Sequence, residues 1–333
     1  MKILITGGGG FLGRALVGLC QARGYAVRSF SRAPQPALAA ASVEVLAGDL
    51  ADPAAVDRAV AGCDGVFHVA AKAGVWGPWN DYYRPNVLGT QNVLAACRRH
   101  GVSRLVHTST PSVVFDGQSH AGADESLPYG RRFPCAYPHT KALAEQAVLA
   151  AHDRAALRVT ALRPHLIWGA GDPHLVPRIL ARAHRLRVVG DGTNRVDLTH
   201  VRHAAAAHLL AFDALADPAH PAGGRAYFIS DGAPVMLWEW INRLLLRLDR
   251  TPISRRISLS AARTAGGALE VLWRLLPFLP GEPPMTRFVA TELAKDHWYS
   301  IAAARRDLRY APVSDLSAAM DELILSLCPD RKP

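Results

Sequence analysis

Tyr137 and Lys141 are the two side chains of this sequence best suited to proton transfer. They stand four residues apart in a predicted helix over 137–152, so both lie on one helix face. A phenol alone has a pKa of about 10 and is a poor acid–base catalyst at neutral pH. A neighbouring ammonium group favours the phenolate and lowers that pKa. The spacing therefore predicts an acid–base pair in which Lys141 tunes Tyr137.

Hydroxyl groups at the end of a predicted strand over 104–109 supply a second chemical signal. Thr110 follows this strand, with Ser109 before it and Ser112 after it. A hydroxyl there could bind a substrate carbonyl oxygen beside the tyrosine. The alternative is that these side chains only cap the end of the strand. Thr110 is the preferred candidate, and the two serines remain open.

The first residues of the chain form a glycine-rich turn between an apolar strand and a helical pattern. Gly7, Gly10 and Gly13 follow strand 2–6 and surround Phe11 and Leu12 at the start of a predicted helix over 11–23. In this order the glycines allow a tight turn, close approach of backbone N–H groups to a pyrophosphate, and packing of helix on strand. The helix dipole also favours an anion. The pattern predicts a dinucleotide site.

The second strand, 26–31, indicates which dinucleotide binds. An NAD site usually has an acidic residue about 20 residues beyond the glycines, but the sequence has no acid between Gly13 and Glu44. Ser31 and Arg32 end the strand instead, and an arginine fork suits a 2′-phosphate. The sequence thus predicts NADP(H), with Arg14 and Arg28 as less certain additional cations.

Asp49 and Leu50 follow the third predicted strand, 43–47. The Asp49 carboxylate could accept a hydrogen bond from an adenine amino group. Alternatively, it could cap the helix that begins near Asp52 and Pro53.

Strands and helices alternate over most of the chain, which predicts an α/β fold. The remaining predicted elements are strands 65–70, 157–163 and 225–230 and helices 53–61, 86–100 and 174–186. Alternation of this kind is typical of a Rossmann-type, doubly wound parallel sheet. We assign 1–163 and about 201–230 to an NADP-binding domain. Residues of about 164–200 and 231–333 form a smaller, mostly helical substrate lobe.

Composition excludes several classes of protein. The chain has 333 residues, half of them hydrophobic, and a formal charge of +10. Its cations are mostly arginines scattered along helices, which predicts no nucleic-acid partner and attraction of NADPH and an acidic substrate.

Residues 2–6 already form a strand, so no signal peptide is expected. Five cysteines without paired spacing fit a cytoplasmic protein. His200, His203 and His208 lack companion ligands, so no metal is expected.

Residues 261–281 are largely apolar but too short and too interrupted to span a membrane. We consider three alternatives: a helix buried against the lobe, an apolar wall of the substrate site, or an interfacial membrane helix. Leu269, Leu272, Trp273 and Leu276 recur at helical spacing and could line such a wall, although core packing explains the same spacing.

The whole chain resembles the extended branch of the short-chain dehydrogenase/reductase superfamily. The motifs that carry the resemblance are Thr6-Gly7-x-x-Gly10-Phe11-x-Gly13, Asp49-Leu50, His68-Val69-Ala70-Ala71, Asn86-Val87-x-Gly89-Thr90, Tyr137-x-x-x-Lys141 and Leu162-Arg163-Pro164-x-x-Ile167-Trp168-Gly169. The resemblance implies that Tyr137 donates the proton, that Lys141 binds ribose, and that Thr110 replaces the usual catalytic serine. It also implies further cofactor contacts from Ala70, Ala71, Lys72, Asn86, Pro164 and Ile167.

Within that branch the chain is similar to the 3β-hydroxysteroid dehydrogenase group, through residues 136–145 and 281–287. Residues 71–77, 108–113, 190–194 and 297–300 further resemble bacterial reductases of long-chain olefin biosynthesis. That likeness implies NADPH-dependent reduction of a β-keto acid with a long 2-alkyl branch. It also implies that the product passes to other enzymes of the same pathway, and the superfamily implies a homodimer through the helices near 86–100 and 137–152.

Three cations could bind the substrate carboxylate at the mouth of the site, namely Lys72, Arg84 and Arg195, or could simply be surface charges. A 3β-hydroxysteroid dehydrogenase and a sugar-nucleotide epimerase remain rival functions. A dehydratase would need a carboxylate pair after Thr110, where this chain has Pro111 and Ser112. A catalytically silent sensor would typically lack the tyrosine or the lysine.

Overall fold

The computed structural model describes residues 1–276, 278–313 and 315–328. Its strands are β1 (Lys2–Thr6), β2 (Ala26–Ser31), β3 (Glu44–Ala47), β4 (Gly65–His68), β5 (Arg104–Thr108), β6 (His120–Ala123), β7 (Arg158–Pro164), β8 (Ile167–Trp168), β9 (Val188–Val189), β10 (Arg195–Val196), β11 (Thr199–His200), β12 (Ala226–Ile229), β13 (Val235–Met236), β14 (Arg256–Ile257) and β15 (His297–Tyr299). Its α-helices are α1 (Phe11–Ala22), α2 (Pro36–Ala40), α3 (Pro53–Val60), α4 (Trp79–Tyr83), α5 (Gly89–Arg99), α6 (Ala136–Ala150), α7 (Leu175–Arg182), α8 (Val201–Ala214), α9 (Leu237–Arg247), α10 (Leu259–Leu275), α11 (Arg287–Glu292), α12 (Ala302–Leu308) and α13 (Ser317–Leu327).

Seven parallel strands form the main sheet in the order β3-β2-β1-β4-β5-β7-β12. The central strands are apolar and almost fully buried, as expected for strands covered by helices on both faces. One face packs against α1 and α8, and the other against α3 and α5. The predicted Rossmann-type, doubly wound fold is confirmed. The order reverses between β1 and β4, which opens a crevice at the carboxyl ends of these strands.

The helices differ from prediction in three places. The helix predicted over 86–100 begins earlier, as α4, a π-helical turn over Arg84–Leu88, and α5. The helix predicted over 174–186 is limited to α7. No range was predicted for α8, because its alanines and apolar residues are buried on most sides and no amphipathic period marks its bounds.

The smaller lobe has its own core, with α7, α9 and α13 packed around buried tryptophans and leucines. Its mixed sheet has the order β13-β10-β15-β6. The division of the chain into two domains stays a prediction, and two segments cross its bounds. β6 comes from within 1–163 but pairs with β15, whereas Ile301, Leu308 and Tyr310 pack into the core of the seven-stranded sheet.

The apolar segment 261–281 lies mainly on the surface. In α10 only Ala262, Gly266 and Glu270 are buried, while Leu275 is 73% exposed. One face of α10 packs against the lobe and the other is exposed, so the helix is only partly buried, and the other two alternatives remain. Across the described ranges, no helix has the length and apolar character needed to cross a bilayer.

Two glycines of α1 provide a matched test of why the first turn needs glycine. A Cβ on Gly13 would lie 2.1 Å from the backbone oxygen of Gly7, whereas a Cβ on Gly18 would meet no atom within 4 Å. Gly13→Ala should destabilise the protein by about 1–3 kcal/mol because backbone must move. Gly18→Ala should stabilise it by about 0.5–1 kcal/mol. Urea unfolding of both variants checks this, and equal effects would contradict the close approach.

Candidate active site

The glycine turn forms an anion-sized cradle between β1 and α1. Gly7 has φ +74°, and its N–H donates to the Phe30 carbonyl at 2.8 Å. Gly10 caps α1 without a side-chain hydrogen bond, and the first turn of the helix contains no acid. A Cβ on Gly8 would lie 2.4 Å from Ser29 Oγ. The turn therefore has no room for a side chain at this position, and it leads into a helix N-terminus whose N–H groups favour an anion.

Ser31 and Arg32 lie beside this cradle, joined to it by Gln35. The Gln35 amide donates to Ser31 Oγ at 2.5 Å, and its carbonyl accepts from Ser29 Oγ at 2.6 Å. A Cβ on Gly9 would lie 2.6 Å from Gln35 Nε2, so this amide borders the glycine turn. The Arg32 side chain is exposed. Sequence reasoning missed Gln35, since a lone amide in a loop carries no pattern.

Of the two additional arginines, one lies at the cradle and one does not. Arg14 donates to the Gly9 carbonyl at 3.0 Å. Arg28 is buried and donates to the carbonyls of Ala59 and Ala61 at the end of α3, and it pairs with Glu44 at 2.9 Å. The interpretation of Arg28 as a cofactor cation is therefore wrong: its charge stabilises a helix C-terminus.

Asp49 does not cap α3. Asp52 does, accepting from Ala54 N at 2.9 Å. Asp49 is exposed and accepts only from its near neighbour Ala51 at 2.9 Å. Leu50 is buried against Gly89, where a Cβ would lie 2.7 Å from Leu50 Cβ. The adenine contact of Asp49 stays a prediction.

A buried hydrogen-bond chain links the end of β1 to the helices of the site. Thr6 Oγ1 accepts from the N–H groups of Val69 and Ala70, both at 3.1 Å. Its own proton therefore goes to His68 Nδ1 at 2.9 Å. The His68 Nε2–H in turn donates to Thr90 Oγ1 at 2.9 Å. Burial, and then the charge of Lys141, lowers the pKa of His68 to about 3, so the imidazole stays neutral.

The same hydrogen-bond chain continues through Asn86 to α6, the helix that carries Tyr137 and Lys141. Thr90 donates to the Asn86 carbonyl at 2.6 Å. The Asn86 side chain accepts from Lys72 N at 2.7 Å and donates to Thr140 Oγ1 at 3.0 Å. Thr140 donates to the Tyr137 carbonyl at 3.0 Å. Asn86 therefore supports α6 through Thr140, and it also fixes the backbone of Ala71 and Lys72.

Thr110 is the hydroxyl that the structure brings to the phenol. The Thr110 hydroxyl is close enough to the Tyr137 phenol to act on its pKa, and Thr110 Oγ1 lies 2.9 Å from Ser112 Oγ. Within the described part of the chain, Ser109 Oγ is buried and has no partner. The arrangement favours Thr110 over Ser109, with Ser112 as its neighbour.

The Tyr137 pKa differs from expectation. Burial raises it, and the hydrogen bond with Thr110 offsets only part of this effect. The predicted lowering by Lys141 is wrong, because Lys141 Nζ is bonded elsewhere. It donates to the Thr108 carbonyl at 2.6 Å and lies 3.2 Å from His107 Nε2. A raised pKa keeps the phenol protonated at neutral pH, which is the form that a proton donor needs.

Lys141 is 1% exposed. Burial lowers its pKa to about 8, with Glu145 acting in the opposite direction. Glu145 is itself fully buried, accepts from Tyr129 at 2.7 Å and from Arg163 Nη2 at 2.6 Å. This buried pair joins the middle of α6 to β7 and so fixes the helix that carries Tyr137.

The segment after Pro164 has an unusual backbone. Leu166 has φ +41°, a region that side-chain-bearing residues rarely adopt. His165 Nε2 donates to His297 Nδ1 at 2.5 Å, and His297 Nε2 donates to the Glu292 carbonyl at 2.8 Å. Pro164 is buried and Ile167 is half-buried. Their predicted cofactor contacts remain predictions.

The lobe contributes a wall that sequence reasoning missed. The rings of Phe115 and Phe288 are 5.0 Å apart. Glu292 lies four residues beyond Phe288, on the same face of α11, and its carboxyl group interacts with Cys135, which precedes α6. Burial raises the pKa of Glu292. No sequence pattern marks this wall, because three distant segments build it.

The three carboxylate-binding candidates are not gathered at one point. Lys72 pairs with Asp81 at 2.8 Å, Arg195 is exposed on β10, and Arg84 is exposed in the π-helical turn. His203 Nδ1 lies 2.7 Å from Asp231 and His208 Nε2 lies 2.7 Å from Thr108 Oγ1. Among the described residues, no group of three or more metal-ligand side chains could hold a metal ion.

The depressed pKa of Lys141 predicts a pH-dependent stability. Its folded-state pKa is about 8 against an ordinary 10.5, so the unfolded chain binds more protons between these values. The penalty of burying the ammonium is full below pH 8 and is relieved as the pH rises towards 10.5. Lys141→Met should therefore stabilise the cofactor-free protein at pH 7, on the order of 3 kcal/mol before lost hydrogen bonds.

Denaturant unfolding of wild type and Lys141→Met at several pH values measures this advantage. It should shrink between pH 8 and 10.5. Lys72→Met, at an exposed surface pair, is the control and should show no such slope. A constant difference across the window would contradict the depressed pKa.

Comparison with known proteins agrees with this geometry. The model of the 3-beta hydroxysteroid dehydrogenase/isomerase family matches residues 4–260. A protein of Stenotrophomonas maltophilia named 2-alkyl-3-oxoalkanoate reductase is 51% identical over 97% of this chain and 98% of its own length. A protein of the same name from Shewanella oneidensis is 43% identical over 97% of this chain and 85% of its own.

The solved structure of a dTDP-glucose 4,6-dehydratase double mutant from Streptomyces venezuelae, with NAD bound, has the same fold. Its TM-score is 0.75 at 22% identity, and the match covers 99% of this chain and 98% of that one.

Proposed function

This chain belongs to the 3-beta hydroxysteroid dehydrogenase/isomerase family, and from that premise we propose that it reduces a 2-alkyl-3-oxoalkanoate to the 2-alkyl-3-hydroxyalkanoate with NADPH. The family is one of oxidoreductases. One observation carries the proposal: the Thr110 hydroxyl, just beyond the carboxyl end of β5, lies beside the Tyr137 phenol, and Lys141 is on the same helix as Tyr137. The relatives named above support the substrate class.

The residues fit a nicotinamide dinucleotide. The glycine turn has no room for side chains, because a Cβ on Gly8, Gly9 or Gly13 would collide with neighbouring atoms, and a turn of this kind lets a pyrophosphate approach backbone N–H groups. Gly7, Gly10, Phe11, Leu12 and Gly13 would hold the pyrophosphate, and Asp49 and Leu50 the adenine. Ala70, Ala71, Lys72, Asn86, Lys141, Pro164 and Ile167 would border the ribose and nicotinamide. The bound cofactor would supply the hydride.

The protein's own groups handle the proton. Tyr137 donates its phenolic proton to the substrate carbonyl oxygen as that oxygen gains charge. Thr110, with Ser112 behind it, donates a second hydrogen bond to the same oxygen. Lys141 has three N–H donors, of which the Thr108 carbonyl and His107 take two. The third is directed by these partners and serves a ribose hydroxyl.

The alkyl chains of the substrate need an apolar wall. Phe115 and Phe288 form one on the lobe side. Leu269, Trp273 and Leu276 are half-buried and would extend it, whereas Leu272 is 41% exposed and faces outward. A β-keto acid also brings a carboxylate, for which Lys72, Arg84 and Arg195 are the candidate partners.

We also propose that the protein works in the cytoplasm in olefin biosynthesis, as a homodimer that passes its product to other enzymes of that pathway. The contact would involve α5 and α6, as the resemblance to the superfamily implies. Size-exclusion chromatography with light scattering tests the dimer.

The cofactor proposal gives the first functional prediction. NADPH should bind on the order of 10- to 100-fold more tightly than NADH, because one arginine–phosphate contact contributes about 1.5–3 kcal/mol. Arg32→Ala should remove most of this preference. Arg98→Ala, an exposed arginine at the other end of the sheet, is the control and should change neither constant. Equal dissociation constants for both cofactors in the wild type would refute the preference.

Turnover of a substrate panel tests the reaction itself. Efficiency with 2-alkyl-3-oxoalkanoates should rise with chain length, since each buried methylene contributes about 0.8 kcal/mol. Tyr137→Phe should lower turnover by about 10²–10⁴-fold with little change in NADPH binding. Thr110→Ser should keep more activity than Thr110→Val, which removes the hydroxyl. The 2-alkyl-3-hydroxy acids are the more stable substrates, so turnover is measured with them in the NADP⁺-reducing direction.

A 3β-hydroxysteroid and a nucleotide sugar belong in the same panel as rival substrates. A clear preference for either one, or a flat response to alkyl length, would replace the proposed substrate class. Near-normal turnover in Tyr137→Phe would show that another group donates the proton.

A further inference from the structure

The end of α10 carries an exposed apolar ridge, formed by Val271, Leu272, Leu275 and Phe278. Their side chains are 53%, 41%, 73% and 77% exposed. Only four other large hydrophobic residues of the described chain are comparably exposed, and they are Met1, Trp79, Leu246 and Val313. Half of these exposed residues therefore fall within eight consecutive positions, a concentration that marks an interaction surface rather than scattered exposure.

The helix cannot rotate to bury the ridge, because its opposite face is fixed. A Cβ on Gly266 would lie 2.7 Å from the backbone of Thr286, so α10 and the start of α11 are in close contact. Glu270 accepts from the Arg287 backbone N–H at 2.7 Å and from Arg287 Nε at 2.9 Å. These inward contacts leave the ridge directed to the outside.

Charge distinguishes the outer face of α10 from its inner face. Glu270 is the only acid in the helix, and it is buried and paired with Arg287. The two arginines of the helix, Arg263 and Arg274, are both exposed. The outer face thus combines apolar side chains with cations and no acid, which complements an anionic lipid surface. The +10 charge of the whole chain attracts the same surface and repels a second copy.

Two ring contacts relate α10 and α6 to the segment that carries Trp76 and Trp79. The Arg274 guanidinium lies over the Trp76 ring at 5.7 Å. Trp79, three residues further on, is 40% exposed, and its ring centroid is 4.9 Å from that of His139. His139 stands two residues after Tyr137 in α6. The helix of the ridge, the segment of the two tryptophans and α6 are therefore neighbours.

We propose that the apolar ridge docks this protein on the surface of an anionic lipid bilayer. The proposal rests on the proposed function in one respect, since a substrate with two alkyl chains partitions into lipid. The side chains of the ridge would enter the headgroup region, while Arg263 and Arg274 contact lipid phosphates and the helix lies in the plane of the interface.

Vesicle sedimentation of the full chain, without substrate, tests this docking. The wild type should sediment with vesicles that contain phosphatidylglycerol and much less with pure phosphatidylcholine, and salt should weaken the binding. The double variant Leu275→Ser, Phe278→Ser should partition at least about tenfold more weakly, because it loses two apolar side chains from the interface. Leu246→Ser, which changes a 59% exposed leucine on α9, is the matched control and should bind as the wild type does.

Turnover of a short-chain, soluble 2-alkyl-3-hydroxy acid, measured in parallel, separates this proposal from the proposed function. It should be equal in wild type and ridge variant. Turnover without vesicle binding would overturn the docking proposal but not the proposed function. Vesicle binding without turnover would overturn the proposed function but not the docking proposal. Vesicle binding that the ridge variant retains would overturn the proposal. So would self-association that the variant loses, since it would assign the ridge to a second copy.

Discussion

A buried hydrogen-bond chain from Thr6 to the carbonyl of Tyr137 sets the geometry on which the rest of this molecule depends. It begins where β1 gives way to the glycine turn and ends in the first turn of α6. Each group is excluded from water, so each must find its partner inside the protein. The hydrogen-bond chain consequently fixes the position of α6 relative to the glycine turn.

The donor-to-acceptor direction of this hydrogen-bond chain is set at Thr6. Because two backbone N–H groups already donate to its oxygen, its proton has only His68 to go to, and the His68 tautomer follows. A neutral imidazole is required for the next link, and burial guarantees it. Hydrogen bonds thus fix the orientations of Thr6 and His68 as closely as packing fixes the apolar residues around them.

Lys141 shows the cost of placing a charge in the same region. Its ammonium group is surrounded by neutral acceptors, while the carboxylate of Glu145 is committed to Arg163. Burial of this ammonium group destabilises the fold, and Lys141 loses its proton at a lower pH than an ordinary lysine does. Burial instead raises the pKa of the Tyr137 phenol. The spacing of tyrosine and lysine in the sequence had predicted the opposite, a pKa lowered by Lys141.

The sequence predicted the sheet well, because strands such as β1 and β4 are continuous apolar runs next to glycines. It also predicted the positions of Tyr137, Lys141 and Thr110, since their spacing and neighbouring elements are local. It could not predict that Arg28 is turned towards α3, because a strand residue faces either side of a sheet according to a register that the sequence alone leaves open. Gln35, Phe288 and Glu292 were missed because only the tertiary fold brings them to the site.

The π-helical turn over Arg84–Leu88 has a consequence for how this site can change. Its last bond joins Gly89 N to the Arg84 carbonyl, so one residue more than usual is held in the turn. Asn86 lies inside it and reaches both Lys72 and Thr140 from there. Deleting a single residue of this turn would give a regular helix of better hydrogen-bond geometry, but it would rotate the preceding segment by about 100° relative to α5. The irregular turn is therefore a length constraint on the chain, because an insertion or deletion here would move Asn86 away from Lys72 or Thr140.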